Sequence, residues 1–129
     1  MSKGLNKVQL IGNLTQDPEF QIYENKSMRA SFSIATNEIG KNKDGNPWKK
    51  TEFHKIVCWG SLAELVNKYV RKGMLVYVEG KLRTTSFDTD SGTKYSTFVE
   101  ISDIIMLKNP GGKEKNQNFD LTPSNDLPF

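Results

Sequence analysis

The sequence is poor in the residues that build chemistry. Its single cysteine, Cys58, lies between Val57 and Trp59, so no intrachain disulfide can form and no cysteine metal cluster can be assembled. The one histidine, His54, stands four residues earlier. On a strand that separation is roughly 13 Å, which puts the two side chains on one face but out of hydrogen-bonding reach. With no third ligand nearby, a core or subunit-interface role is expected for both and a catalytic or metal-binding role for neither. No phosphate-cradling loop, nucleophile elbow, zinc-protease helix or dinucleotide fingerprint is present, and Gly4, Gly12 and Gly40 stand alone. The acidic residues Glu38, Asp44 and Glu52 are interrupted by lysines, which leaves no carboxylate cluster for a cation. Enzymatic readings therefore lack positive support, and no cofactor or metal is expected.

Long apolar runs are also missing. No stretch nears the length needed to cross a bilayer, and Met1–Asn6 lacks the apolar core of a signal peptide, so a cytoplasmic protein with no membrane partner is the expectation. What remains is ordinary for one globular domain with a tail: 129 residues, 36% hydrophobic and 26% charged. The net charge of +3 is unevenly spread. Residues 1–108 hold 16 Lys and Arg against 12 Asp and Glu, whereas residues 109–129 hold 2 against 3. A mildly basic body is compatible with a polyanion partner without proving one.

Apolar runs rich in β-branched and aromatic residues occur at Val8–Leu14, Met28–Thr36, Thr51–Trp59, Met74–Phe87 and Tyr95–Leu107, with a shorter one at Phe20–Tyr23. They predict five main strands. Turn chemistry separates them at Asp17-Pro18, Glu24-Asn25-Lys26, Asp44-Gly45-Asn46-Pro47 and Asp90-Ser91-Gly92, which makes hairpins of the second and third long strands and of the fourth and fifth. A helix is predicted between Ser61 and Gly73, where Leu62, Leu65, Val66, Tyr69 and Val70 recur at helical spacing. Ser61 and Glu64 form an expected capping box, and Arg71-Lys72-Gly73 an expected stop. A single helix between the third and fourth long strands is the order of an oligonucleotide-binding (OB) fold, a five-stranded Greek-key β-barrel. Gly80 supplies the bend that the long fourth strand needs to serve both sides of a small barrel.

Alternation along the third strand puts Phe53, Lys55, Val57 and Trp59 on one face and His54, Ile56 and Cys58 on the other. Aromatics interleaved with cations hold a single nucleic-acid strand without reading it, because every base stacks and every phosphate is anionic. From this strand alone, a core role for Phe53 and Trp59 fits equally well. Neighbouring segments repeat the pattern. Trp48 follows Pro47 beside a tip carrying Lys41, Lys43, Lys49 and Lys50, and Phe87 ends a strand carrying Lys81 and Arg83. After Leu107 the chain loses any apolar face, predicting an OB domain over 1–108, a flexible linker over 109–120 and a short disordered tail over 121–129.

Several motifs, in order over residues 3–107, resemble the bacterial single-stranded DNA-binding protein (SSB) family: Asn6-Lys7-Val8, Gly12-Asn13-Leu14, Asp17-Pro18-Glu19, Thr51-Glu52-Phe53-His54, Leu62-Ala63-Glu64 and Val76 through Arg83. The end, Asp126-Leu127-Pro128-Phe129, resembles that family's acidic, Pro-Phe-terminated tip. The resemblance implies an OB fold, a homotetramer that wraps single-stranded DNA, and nucleoid-associated roles in replication, recombination and repair. It puts Phe53, Trp59 and Phe87 at base-stacking positions, Lys7, Lys55, Lys72 and Arg83 at phosphate-contacting positions, and His54 at a subunit contact.

Two departures stand out. Gly40 occupies a site where many family members carry a stacking tryptophan, and Trp48, on the opposite arm of the same hairpin and next to Lys49, is the expected replacement. The tail is short, with Asn125-Asp126 where the family runs several acidic residues. By resemblance, Asp126, Leu127, Pro128 and Phe129 recruit replication and repair enzymes, Phe129 and its carboxylate entering an apolar pocket with a basic rim. The competing readings are an RNA-binding OB module, which the tail argues against, and a protein-binding OB adaptor, which has no use for a lysine-flanked Trp48.

Overall fold

Six strands and one helix, in the order β1 (Val8–Leu14), β2 (Glu19–Ile22), β3 (Met28–Lys41), β4 (Pro47–Trp59), α1 (Gly60–Tyr69), β5 (Leu75–Thr89) and β6 (Gly92–Lys108), make up the computed structural model, which describes residues 2–110. The expected tail and most of the expected linker lie outside the described residues. Five strands close on themselves. β1 pairs antiparallel with β5 from Val8 to Asn13, then with β3 at Asn13 and Leu14. The β3–β4 and β5–β6 hairpins form as expected, and a short parallel contact of Ile56 and Val57 with Val99 and Glu100 joins them. β2 adds to the outside edge of β3. The result is the five-stranded OB barrel.

Alternation fills the interior. Leu14, Ile34, Ile56, Cys58, Val76, Val78 and Val99 point inward and are buried, and no polar or charged residue is buried among those described. Gly80 marks the bend as predicted, at a register shift in the β5–β6 ladder. A Cβ there would collide with the carbonyl oxygen of Glu100 and the Cα of Ile101.

The hairpins are longer than their hydrophobic patterns. β3 continues to Lys41, β4 starts at Pro47 and β6 starts at Gly92, so both hairpins project beyond the barrel as arms whose ends are exposed. Ladder hydrogen bonding extends a strand past the point where there is a core to cover.

The helix departs from the sequence reading in two respects. No capping box forms: the N-cap is Trp59, with no side-chain cap hydrogen bond. Gly60, at φ +69°, turns the chain straight from strand to helix, and Ser61 already lies within the helix. On its inner face Ala63, Val66 and Val70 are buried, whereas Leu65 and Tyr69 remain exposed, because the face that meets the barrel is rotated toward Ala63. The C-terminal stop is real: the Arg71 guanidinium donates to the carbonyls of Asn67, Lys68 and Val70, satisfying acceptors that the helix leaves open.

Two outcomes are expected. Gly80→Ala loses about 2 kcal/mol of stability by overpacking, seen as a lower urea midpoint; an unchanged midpoint would show that β5 shifts freely. The Cys58 thiol, pushed up to about 12 chiefly by burial, escapes iodoacetamide at pH 8 in the native protein and reacts once the protein is unfolded in urea.

Candidate nucleic-acid interface

The register decides what alternation left open. On the outer face of β4, Phe53 pairs with Ala35, Lys55 with Ser33 and Val57 with Ser31. The small partner leaves Phe53 67% exposed, and Trp59, at the end of the ladder opposite Arg29, is 45% exposed. Neither ring belongs to the core. Val57, expected on this open face, is instead buried where β4 meets β6. Lys55 is exposed between the two aromatics and makes no ion pair among the described residues.

The β5–β6 arm repeats the arrangement. By alternation Lys81, Arg83, Thr85 and Phe87 share the face opposite to the barrel-filling side chains. Phe87 is 50% exposed and pairs directly across from Lys94. Arg83 is engaged with Glu100, Nε to Oε1 at 3.0 Å. Lys7 likewise meets Glu79 at 3.3 Å. Both ion pairs are largely solvated, a setting in which such pairs hold weakly and a phosphate can compete. Glu79 also accepts a 2.6 Å hydrogen bond from the Tyr77 hydroxyl, which with Lys7 holds its carboxyl below the usual range. The Lys72 side chain is exposed at the end of the helix turn, its backbone N–H donating to Asp17 at 2.7 Å.

Trp48 lies in β4 itself, not at a loop end, and directly opposite Gly40. It therefore shares a face with His54 and Ile56, not with Phe53, Trp59 and Lys49. Its indole crosses the bare glycine: a Cβ at position 40 would lie 2.6 Å from Cζ2 and 2.8 Å from Cε2. The ring thus occupies the place where a residue-40 side chain would start. Lys49 and Lys50 flank it, Lys50 in a 3.2 Å ion pair with Glu52.

His54 is half-buried and shares a 2.9 Å hydrogen bond with the Thr36 hydroxyl. Cys58 is buried in the core, four residues away. Among the described residues no three His, Cys, Asp or Glu side chains cluster as metal ligands, and no helix is long and apolar enough to cross a membrane.

Sequence reasoning missed Tyr23 and Arg29. Both lie against Trp59: the Tyr23 ring centroid is 6.0 Å away and the Arg29 guanidinium carbon 5.9 Å from the indole centroid. Arg29 is the direct cross-strand partner of Trp59, a relation visible only once the register is known.

Comparison with known proteins gives a consistent result. A model described as the single-strand binding protein family matches residues 5–107. Single-stranded DNA-binding protein 1 of Chlorobaculum tepidum is 40% identical over 123 residues, covering 92% of this chain and 76% of that protein. Single-stranded DNA-binding protein 1 of Xylella fastidiosa is 40% identical over 116 residues, covering 88% and 82%. Among solved structures, the Plasmodium falciparum SSB complex with ssDNA is similar with a TM-score of 0.78 and 35% identity, covering 84% of this chain and 99% of that one.

Proposed function

The chain belongs to the single-strand binding protein family and binds single-stranded DNA without catalysing a reaction; we propose that it does so independently of sequence, by stacking bases on Phe53, Trp59, Phe87 and Trp48. Lys7, Lys49, Lys55, Lys72 and Arg83 neutralise the accompanying phosphates. The observation that carries this reading is the outer face of β4, where Phe53 is 67% exposed opposite Ala35 and Lys55 is exposed opposite Ser33. An aromatic ring left open on a rigid strand costs apolar hydration in the free protein, and a stacked base relieves that cost.

Trp48 supplies the platform absent at Gly40, its ring already lying across the glycine. Self-association into a homotetramer is supported by the edge of β1 from Val8 to Gly12, which pairs on the β5 side and has no strand on the other among the described residues. His54 is assigned to a subunit contact. Asp126, Leu127, Pro128 and Phe129 recruit replication and repair enzymes, and the protein works in the cytoplasm at the nucleoid in replication, recombination and repair.

Titration of intrinsic tryptophan fluorescence with oligo(dT), its RNA counterpart and a DNA duplex tests the binding mode. Strong quenching by the single DNA strand, little by duplex and a steep loss with salt are expected. A preference for RNA would replace this reading with an RNA module. Trp48→Ala is expected to weaken oligo(dT) binding by about 1–3 kcal/mol, the range for one base-stacking aromatic; unchanged affinity would remove Trp48 from the interface. Deleting residues 126–129 is expected to leave DNA affinity intact and to abolish binding to replication and repair enzymes, whereas retained binding would deny the tail its role.

A further inference from the structure

We propose that Tyr23 and Trp59, with Arg29 beside them, form a further nucleobase subsite at the β2–β3 turn, carrying a single DNA strand past the β4 face and around the barrel edge. The proposal rests on the reading that single-stranded DNA runs over the outer face of β4.

Trp59 is the last residue of β4 and has a neighbour on each flank. Across the ladder, the Arg29 guanidinium carbon stands 5.9 Å from the indole centroid, within cation–π range. From the end of β2 the Tyr23 ring approaches to 6.0 Å with the planes tilted by 30°, a contact geometry typical of aromatic pairs. The two rings make one apolar surface wider than either alone.

The turn fixes the position of Tyr23. Its N–H donates to Ser27 O at 2.9 Å, and its carbonyl accepts from Lys26 N–H at 2.8 Å. Asn25 Oδ1 accepts from the backbone N–H and the hydroxyl of Ser27, at 3.1 and 2.6 Å. The far end of the ring is tethered as well, the Tyr23 hydroxyl donating to Gln21 at 2.9 Å. A ring held at both ends loses little further freedom when a base stacks on it.

The surface is open. Tyr23 is 39% and Trp59 45% exposed, and with Glu24, Asn25 and Ser27 they line a shallow recess of about 690 Å³, large enough for a nucleotide. Arg29 forms no ion pair among the described residues, so its charge is available to a phosphate beside the stacked base. The recess is continuous with the β4 face through Trp59, and that continuity selects the same DNA strand as its occupant.

Fluorescence anisotropy of labelled oligo(dT) against wild type, Tyr23→Ala and Tyr23→Phe tests the subsite, with an oligonucleotide carrying abasic spacers as the second ligand. Tyr23→Ala is expected to weaken oligo(dT) binding by about fivefold or more, as for loss of a stacking ring, without changing the slope of log K against log salt. Tyr23→Phe keeps the ring and is expected to bind like wild type, and the difference between wild type and Tyr23→Ala is expected to vanish on the abasic ligand. Thermal melting of each variant ensures that folded protein is compared. Unchanged affinity in folded Tyr23→Ala, a changed salt slope, or a loss that persists on the abasic ligand would overturn the subsite while wild-type binding to oligo(dT) leaves the family reading standing. Failure of the wild type to bind oligo(dT) would instead overturn the reading beneath it.

Discussion

The barrel closes because two strands lack a side chain where a neighbouring backbone crosses them. At Gly12, as β1 passes from β5 to β3, a Cβ would lie 2.5 Å from the Ala35 carbonyl oxygen. At Gly80, where the β5–β6 register shifts, a Cβ would collide with the backbone of Glu100 and Ile101. Sheets of this size close only by bending their strands, and bends bring backbones together. With the circuit complete, the interior is filled by apolar side chains and contains no buried polar residue among those described. Among the described residues, such an interior offers a ligand no buried polar or charged side chain. Binding has to be done by the outside.

On that outside, exposure follows from pairing rather than from composition. An aromatic on a β-sheet is usually covered by a large cross-strand partner. Opposite Phe53 and Lys55, β3 instead offers Ala35 and Ser33. The rings stay open while the backbone beneath them is fixed by a long antiparallel ladder, which is the pre-organisation that base stacking requires. Away from the core the arms rest on ladder pairing, which fixes the strands that carry Phe87 and Trp48.

Much of this architecture was legible in the sequence, because strands, turns and one helix each impose a local pattern. Alternation assigned Phe53, Lys55 and Trp59 to the face opposite Cys58, and the order of elements pointed to the barrel. What local pattern could not supply was register. The ion pairs of Lys7 with Glu79 and Arg83 with Glu100 join residues far apart in the sequence, so their occupancy was invisible. Tyr23 closed a short apolar run before a turn and gave no sign of reaching Trp59. The capping box failed for a related reason: Ser61 and Glu64 have the right spacing, but the glycine before them moves the helix N-cap to Trp59, two residues too early.

The pair of Gly40 and Trp48 shows why register matters for interpreting a missing residue. Directly paired residues of an antiparallel ladder point to the same side, so a bulky group on that side can be carried by either strand. It cannot be carried by both without rearrangement, since the indole of Trp48 already comes within 2.6 Å of where a side chain at position 40 would begin. A glycine on one strand is therefore the steric condition for an indole reaching over it from the other. Position by position, the chain lacks an aromatic at residue 40. Face by face, it retains one, anchored eleven residues of ladder away from the Arg29–Trp59 pair at the opposite end of the same hairpin.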